Sequence, residues 1–107
     1  MALTRNFKTT VVTRAHNDPN FAKLLLEEAV ALFLSGETDL AKQELRDLVN
    51  ATIGFAQLSK LVGAPPKSLH RMLSPAGNPT MSHLSAIFSA LKTAMAMEIQ
   101  IQAIRIG

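Results

Sequence analysis

The sequence predicts one mainly α-helical domain, in which a long helical hairpin precedes a bundle of shorter helices and a short C-terminal β-strand. Apolar residues recur at intervals of three and four over most of residues 18–95, which is the helical period. Glycine and proline interrupt that pattern, and residues 97–106 alternate between apolar and polar side chains instead. A length of 107 residues fits a single hydrophobic core.

The N-terminal arm, residues 1–17, has the weakest pattern. Its cluster of threonine and valine at residues 9–13 has strand propensity. An isolated strand needs a partner, so the sequence leaves this arm unassigned.

An αα-hairpin is predicted over residues 18–54. Asp18 is placed as a helix N-cap, and Pro19 takes the first helical position, where its missing N–H costs nothing. Gly36 ends this helix, and a second one runs from near Thr38 to Gly54. The hairpin is acidic, because residues 19–54 hold three Lys/Arg against six carboxylates, which are Glu27, Glu28, Glu37, Asp39, Glu44 and Asp47.

Residues 55–95 are predicted to form a helix-turn-helix core. Such a motif needs a small residue on its first helix, a glycine four positions later and an apolar anchor six further on, and Ser59, Gly63 and Leu69 hold those positions. Pro65 and Pro66 forbid an uninterrupted helix and start the second one. After a loop at residues 74–79, a third helix carries apolar residues at helical spacing up to residue 95.

The outward face of the second helix is the candidate DNA-reading surface. Arg71 is our first candidate for base reading, because arginine donates to guanine O6 and N7. Lys67 is the second and reads a base or holds a phosphate. His70 is weaker, since a lone exposed histidine on a helix is more often simply solvated. The whole face comprises Lys67, Ser68, His70, Arg71 and Ser74.

Three further residues are candidate phosphate ligands at the loop and at the start of the third helix. They are Asn78, Thr80 and Ser82, which would act through side chains and free N–H groups. For Thr80 the ordinary role of a helix N-cap is the stronger interpretation.

The tail, residues 97–106, is predicted to be a strand with one apolar and one polar face. A lone strand leaves its backbone groups unpaired. It could pair with the same strand of a second copy or with residues 9–13. We favour the second copy, because a two-fold dimer suits a palindromic DNA site.

Composition and charge exclude several classes of protein. There is no cysteine, so a disulfide framework, a thiolate zinc site and a cysteine nucleophile are ruled out. The longest apolar run, residues 29–34, is too short for a membrane helix, and we expect a soluble cytoplasmic protein without a membrane partner. Residues 1–54 hold six Lys/Arg against seven Asp/Glu, whereas residues 55–107 hold five against one. A basic half suits a polyanion and an acidic half suits a basic protein.

Residues 57–91 carry a set of short motifs, which are Leu58-Ser59, Val62-Gly63, Lys67-Ser68-Leu69, Arg71, Leu73-Ser74-Pro75 and Gly77-Asn78-Pro79-Thr80. Through these motifs the segment resembles Cro/repressor-type helix-turn-helix proteins, and more narrowly the addiction-module antidote family of HigA-like antitoxins. The resemblance implies a repressor-like bundle of about five helices. It also implies a bacterial antitoxin that binds operator DNA as a dimer, represses its own operon and neutralises a RelE/ParE-like ribonuclease toxin. Base preference is not carried over, because Gly63 is followed by residues other than the commoner Leu-Ser-Arg.

Two other classes of function remain as alternatives. A stand-alone transcription regulator shares all the DNA-side features and differs only in what the acidic hairpin meets. A small metal-dependent enzyme is the remote alternative, because no two of the three histidines lie at a ligand spacing such as i, i+4. No phosphate-binding glycine loop or serine elbow is present either. The sequence therefore predicts neither catalysis nor a cofactor or metal.

Overall fold

The computed structural model describes the backbone of residues 2–107 and the side chains of residues 10–107. Within these residues the chain forms six α-helices and no β-strand, so the predicted mainly α-helical class is confirmed. None of these helices is long and apolar enough to cross a bilayer. The helices are α1 (Ala2–Asn17), α2 (Pro19–Leu34), α3 (Thr38–Ala51), α4 (Gly54–Val62), α5 (Pro66–Met72) and α6 (Met81–Ala94).

The arm that the sequence left unassigned is helical. The strand propensity of residues 9–13 is overridden, because α1 packs against both α2 and α3 and buries Ala15. The His16 Nδ1 atom donates a hydrogen bond to the carbonyl of Ala51 at 2.9 Å, which ties the end of α1 to the end of α3. The arm therefore cannot supply a strand partner for the tail.

The helical hairpin forms as predicted from α2 and α3. The Asp18 carboxylate accepts hydrogen bonds from the backbone N–H groups of Asn20 and Phe21 at 3.0 and 3.3 Å, which confirms its role as N-cap. The two helices pack through small and branched apolar residues, which are Ala22, Leu25, Leu26 and Ala29 on α2 and Ala41, Leu45, Leu48 and Val49 on α3.

Two short helices, α4 and α5, follow the hairpin and are joined by a tight turn. Gly63 ends α4 with a left-handed backbone (φ 80°), a conformation in which a side chain is strained. The Ser59 hydroxyl donates to the carbonyl of Ala64 at 2.6 Å and closes the turn. Leu58 and Leu69 are fully buried in the core, as the spacing predicts.

Helix α6 completes the bundle and joins it to the hairpin. Ile87 and Leu91 are fully buried in the core, and the ring of Phe88 meets that of Phe33 on α2 edge-on, with 5.9 Å between centroids. Three helices rather than about five follow the hairpin in the described chain. Pro75 interrupts the connection between α5 and α6 and prevents a further helix there.

The C-terminal strand predicted over residues 97–106 is not formed in the described structure, where the tail has no regular secondary structure. A strand needs a neighbouring strand, and the arm is helical. Ala96 leaves α6 with a left-handed backbone (φ 55°), and the N–H of Met97 donates to the carbonyl of Lys92 at 2.8 Å. Ile99 packs against the core, whereas the exposed fractions of three isoleucines rise along the tail, at 69% for Ile101, 73% for Ile104 and 87% for Ile106.

Candidate nucleic-acid interface

Helix α5 presents a cationic outer face. Its inner residue Leu69 is fully buried, whereas Lys67 and Arg71 are exposed. Neither cationic group has a hydrogen-bond or ion-pair partner among the residues whose side chains are described. Lys67 and Arg71 are four residues apart and so lie on the same side of the helix. Both are therefore accessible to an anionic ligand.

His70 lies on the same helix but has a packing contact. Its ring stacks on the ring of Phe55 at the start of α4, with 3.8 Å between centroids and 24° between planes. Phe55 is buried, so this contact holds α5 against α4. The sequence favours a simply solvated histidine here, and the structure instead gives His70 a part in orienting the helix that carries Arg71.

The two serines of the predicted reading face are both half-buried. The Ser74 hydroxyl donates to the carbonyl of Arg71 at 2.7 Å, which engages its proton within the chain. In this arrangement Ser74 can accept a hydrogen bond but does not donate one to a phosphate. Ser68 lies at the edge of the exposed face beside Lys67.

The loop after α5 folds back onto the end of that helix. The N–H of Gly77 donates to the carbonyl of Ser74 at 2.9 Å. A Cβ atom on Gly77 would lie 2.0 Å from the carbonyl oxygen of Arg71 and 2.4 Å from that of Met72. Only glycine fits this close approach of the loop to the end of α5.

Two cations from α3 hold the same loop from the inside. The Lys42 ammonium donates to the carbonyl oxygens of Pro75 at 3.2 Å and Gly77 at 2.7 Å. The Arg46 guanidinium donates to the carbonyl of Leu73. Both are among the three Lys/Arg of residues 19–54, and neither was predicted to have a structural role. The position of Lys42 beside the buried Ala41, one turn before Leu45, is the signal that places it on the inner side of α3.

The predicted phosphate ligands lie where the loop meets α6. The Thr80 hydroxyl oxygen accepts a hydrogen bond from the N–H of His83 at 3.1 Å, so the predicted N-cap is confirmed. Asn78 and Ser82 are exposed on either side of it. The N–H groups of Met81 and Ser82 have no acceptor among the described residues and remain available to an anion.

The acidic residues of the hairpin separate into two groups. Asp39 lies 3.5 Å from the Lys42 ammonium at the start of α3. Glu44 faces Glu28 across the hairpin, and its Oε2 atom is buried without a hydrogen-bond partner. Burial, together with the neighbouring Glu28 and Asp47 carboxylates, raises the pKa of Glu44 to about 7. Glu44 therefore titrates near neutral pH.

The histidines do not converge on a metal or catalytic site in the described part of the chain. His16 bonds to Ala51, His70 stacks on Phe55, and His83 lies 2.9 Å from the Thr80 hydroxyl. No group of three His, Asp or Glu side chains there has a metal-binding arrangement.

An open groove of about 530 Å³ runs between α4 and α6. It is lined without charged residues, by Ile53, Gln57, Leu61, Ala86, Ser89, Ala90, Thr93 and Ala94.

Comparison with protein families, curated proteins and solved structures finds no match to this chain. What the interface can bind therefore follows from its own side chains. They offer two exposed cations on one short helix, hydroxyl and amide groups at the start of α6, and a loop held between them.

Proposed function

We propose that this chain is a DNA-binding transcriptional repressor and antitoxin. In this proposal it binds operator DNA as a homodimer, inserts α5 of each copy into the major groove, and represses its own toxin–antitoxin operon. Its acidic hairpin neutralises a basic, ribonuclease-type toxin of the RelE/ParE-like kind. A dimer of this type presents its two reading helices about one turn of DNA, ~34 Å, apart.

The DNA-binding proposal depends on Arg71, which is exposed and has no side-chain partner among the residues whose side chains are described. A guanidinium free of internal partners keeps all its donors for base edges or phosphates. The neighbouring Lys67 and the start of α6 then supply backbone contacts that set the register of α5 on the duplex.

A gel-shift titration tests this part of the proposal. The full chain is titrated against the DNA upstream of its own gene over a series of salt concentrations, with unrelated DNA as competitor. We expect a specific complex that survives the competitor and an affinity that falls linearly on a log–log plot against salt. Equal affinity for both DNAs, or no complex at low salt, would reject the repressor assignment.

The tail supports the homodimer. The N–H groups after Met97 have no backbone partner in the described chain, and Ile101 is exposed. In the proposed dimer the tails of the two copies pair as antiparallel strands about a two-fold axis normal to the sheet. Each residue then lies on the same face of the sheet as its equivalent in the other copy. Every symmetric register therefore gathers the same residues of both copies on one face, namely Met97, Ile99, Ile101 and Ala103.

A substitution on each face of the tail tests the dimer. Ile101→Lys places a charge on the apolar face and should shift the protein to monomer in a sedimentation-velocity concentration series. Gln100→Lys places the same charge on the polar face and should leave the dimer intact. A dimer that tolerates both changes would contradict pairing through the tail.

The antitoxin half of the proposal is supported by the acidic outer surface of α2. Glu27 and Glu28 are exposed there and offer two adjacent carboxylates to a basic side chain. The same hairpin buries Leu25, Leu26 and Ala29, so deleting it would remove part of the core along with the acidic surface.

Surface charge reversal is therefore the sharper test of toxin binding. Glu27→Lys combined with Glu28→Lys should weaken binding of the basic protein encoded beside this gene by about tenfold or more. Glu98→Lys, at an exposed position outside the hairpin, is the control for a single charge reversal and is compared with Glu27→Lys alone. Unchanged affinity in the double variant would favour the stand-alone regulator.

A further inference from the structure

Lys42 is the one polar or charged residue that is buried in the described part of the chain, with 5% of its surface exposed. Burying an ammonium group is costly unless its donors are satisfied. Its two hydrogen bonds both go to carbonyl groups of the loop after α5, at Pro75 and Gly77. The Asp39 carboxylate, 3.5 Å away, adds a partner of opposite charge from the same helix. The side chain is thus committed to the loop.

Arg46 continues the same arrangement one helical turn later. It donates to the carbonyl of Leu73, the residue that caps α5. The carbonyl groups of Leu73, Pro75 and Gly77, at alternate positions, are therefore all held by α3. Between and beside them lie Ser74 and Asn78, two of the predicted DNA contacts.

The loop held in this way connects the two parts of the candidate interface. Arg71 lies two residues before its first anchored carbonyl, and Thr80 lies three residues after its last one. Gly77 also closes against the carbonyl oxygen of Arg71. Fixing the loop thus fixes the end of α5 relative to the start of α6.

We propose that Lys42 and Arg46 are positioning residues for DNA binding. They contact no DNA themselves, and they set the register between the base-reading side chain of α5 and the phosphate-binding start of α6. This inference rests on the proposed DNA-binding function. It assigns the α3 helix of the acidic hairpin a direct mechanical part in operator recognition.

The test compares Lys42→Met with two control variants. Lys42→Met keeps the length of the side chain and removes its donors, whereas Lys42→Arg keeps the charge and should restore function in part. Leu25→Ala destabilises α2 away from the loop and shows what a purely structural loss does. Arg46→Met serves as a second positioning variant, because Arg46 is only half-buried and its loss is better tolerated.

Binding of each variant to the DNA upstream of the gene is measured across salt, at a temperature where circular dichroism shows all of them folded. We expect Lys42→Met to lower affinity about tenfold, as the loss of positioning contacts predicts. The slope of affinity against salt should stay at the wild-type value, because that slope counts cations on phosphates and Lys42 is not one. Hydrogen exchange at the Gly77 amide should become faster.

The outcomes separate the inference from the function on which it rests. If the wild type binds the operator fragment and Lys42→Met binds equally well, the positioning role is wrong and the repressor proposal stands. The same holds if Leu25→Ala loses as much affinity as Lys42→Met. If the wild type binds no DNA, both proposals fail.

Discussion

Helices α3 and α5 each carry a lysine and an arginine four residues apart, and the two pairs have different partners. Lys42 and Arg46 on α3 donate to carbonyl groups of the chain itself. Lys67 and Arg71 on α5 are exposed and have no partner in the described structure. The same residue types at the same spacing thus have different surroundings. The pair on α3 contacts the chain itself, and the pair on α5 faces outward.

The difference comes from what surrounds each helix. α3 packs against α1, α2 and α4, so a residue beside its apolar stripe meets other parts of the chain. α5 has only seven residues, and Leu69 is the one that it buries completely. The role of a cation is therefore decided by the carbonyl groups within its reach, which only the folded chain provides.

Gly77→Ala is expected to have the largest effect on stability, because it displaces the loop carbonyl groups to which Lys42 and Arg46 donate. The added Cβ meets backbone oxygen atoms, which cannot move without shifting the end of α5. We expect a loss of about 3 kcal/mol in the free energy of unfolding, measured in urea. Ala76→Ser, in the exposed neighbouring position, should change it by less than about 0.5 kcal/mol. Equal stability of Gly77→Ala and wild type would show that the loop is not closed onto α5.

Lys42→Met and Lys67→Met make the same change on α3 and on α5, so they compare the contributions of the two lysines to stability directly. Removing the inner lysine leaves two carbonyl groups without their charged donor and should cost about 2 kcal/mol of stability. Removing the outer one, Lys67, should cost less than about 0.5 kcal/mol, since it is exposed and has no partner among the described side chains. Matching losses in urea unfolding would mean that the two lysines do not differ in role.

Arg71→Ala should show the reverse pattern, with stability unchanged and DNA binding weakened. We expect a loss of about 1.5 kcal/mol on the operator fragment and a smaller loss on unrelated DNA. Lys67→Ala should weaken both alike and lower the salt slope by about 1 if it holds a phosphate. A loss for Arg71→Ala that is the same on both DNAs would remove it from base reading.

Glu44→Gln tests the charge that lies between Lys42 and Arg46 in the sequence. The pKa of Glu44 in the folded protein, about 7, lies above its ordinary value of 4.5. The folded state therefore binds this proton more tightly, and stability falls as pH rises from about 4.5 to about 7. Glutamine removes that dependence and should stabilise the protein at pH 8 by about 1 kcal/mol, allowing for solvent screening. Glu27→Gln, exposed on α2, is the control; if both variants give the same pH profile, the pKa of Glu44 is not raised in the folded protein.

The hairpin and the helix boundaries were predictable from sequence because they depend on local chemistry. Asp18 with Pro19, the left-handed Gly63 and the Thr80 cap each act within a few residues of their own position. The outward cations of α5 were predictable for the same reason, since the buried Leu69 fixes which face points out.

The remaining features depend on contacts between distant parts of the chain. The threonine and valine cluster of the arm favours a strand locally, and packing of α1 against α2 and α3 makes it helical. Lys42 and Gly77 are 35 residues apart, so no local pattern shows their hydrogen bond. The stacking of His70 on Phe55 likewise requires the angle between α4 and α5.

Ala96 has a consequence for how the tail leaves the bundle. A left-handed backbone at a residue with a Cβ costs about 1 kcal/mol or more, which glycine would avoid. Alanine also allows a smaller range of backbone φ and ψ angles than glycine would at this position, where the tail leaves α6. The proposed pairing of this tail with a second copy would therefore lose less conformational entropy at this position than it would with glycine there.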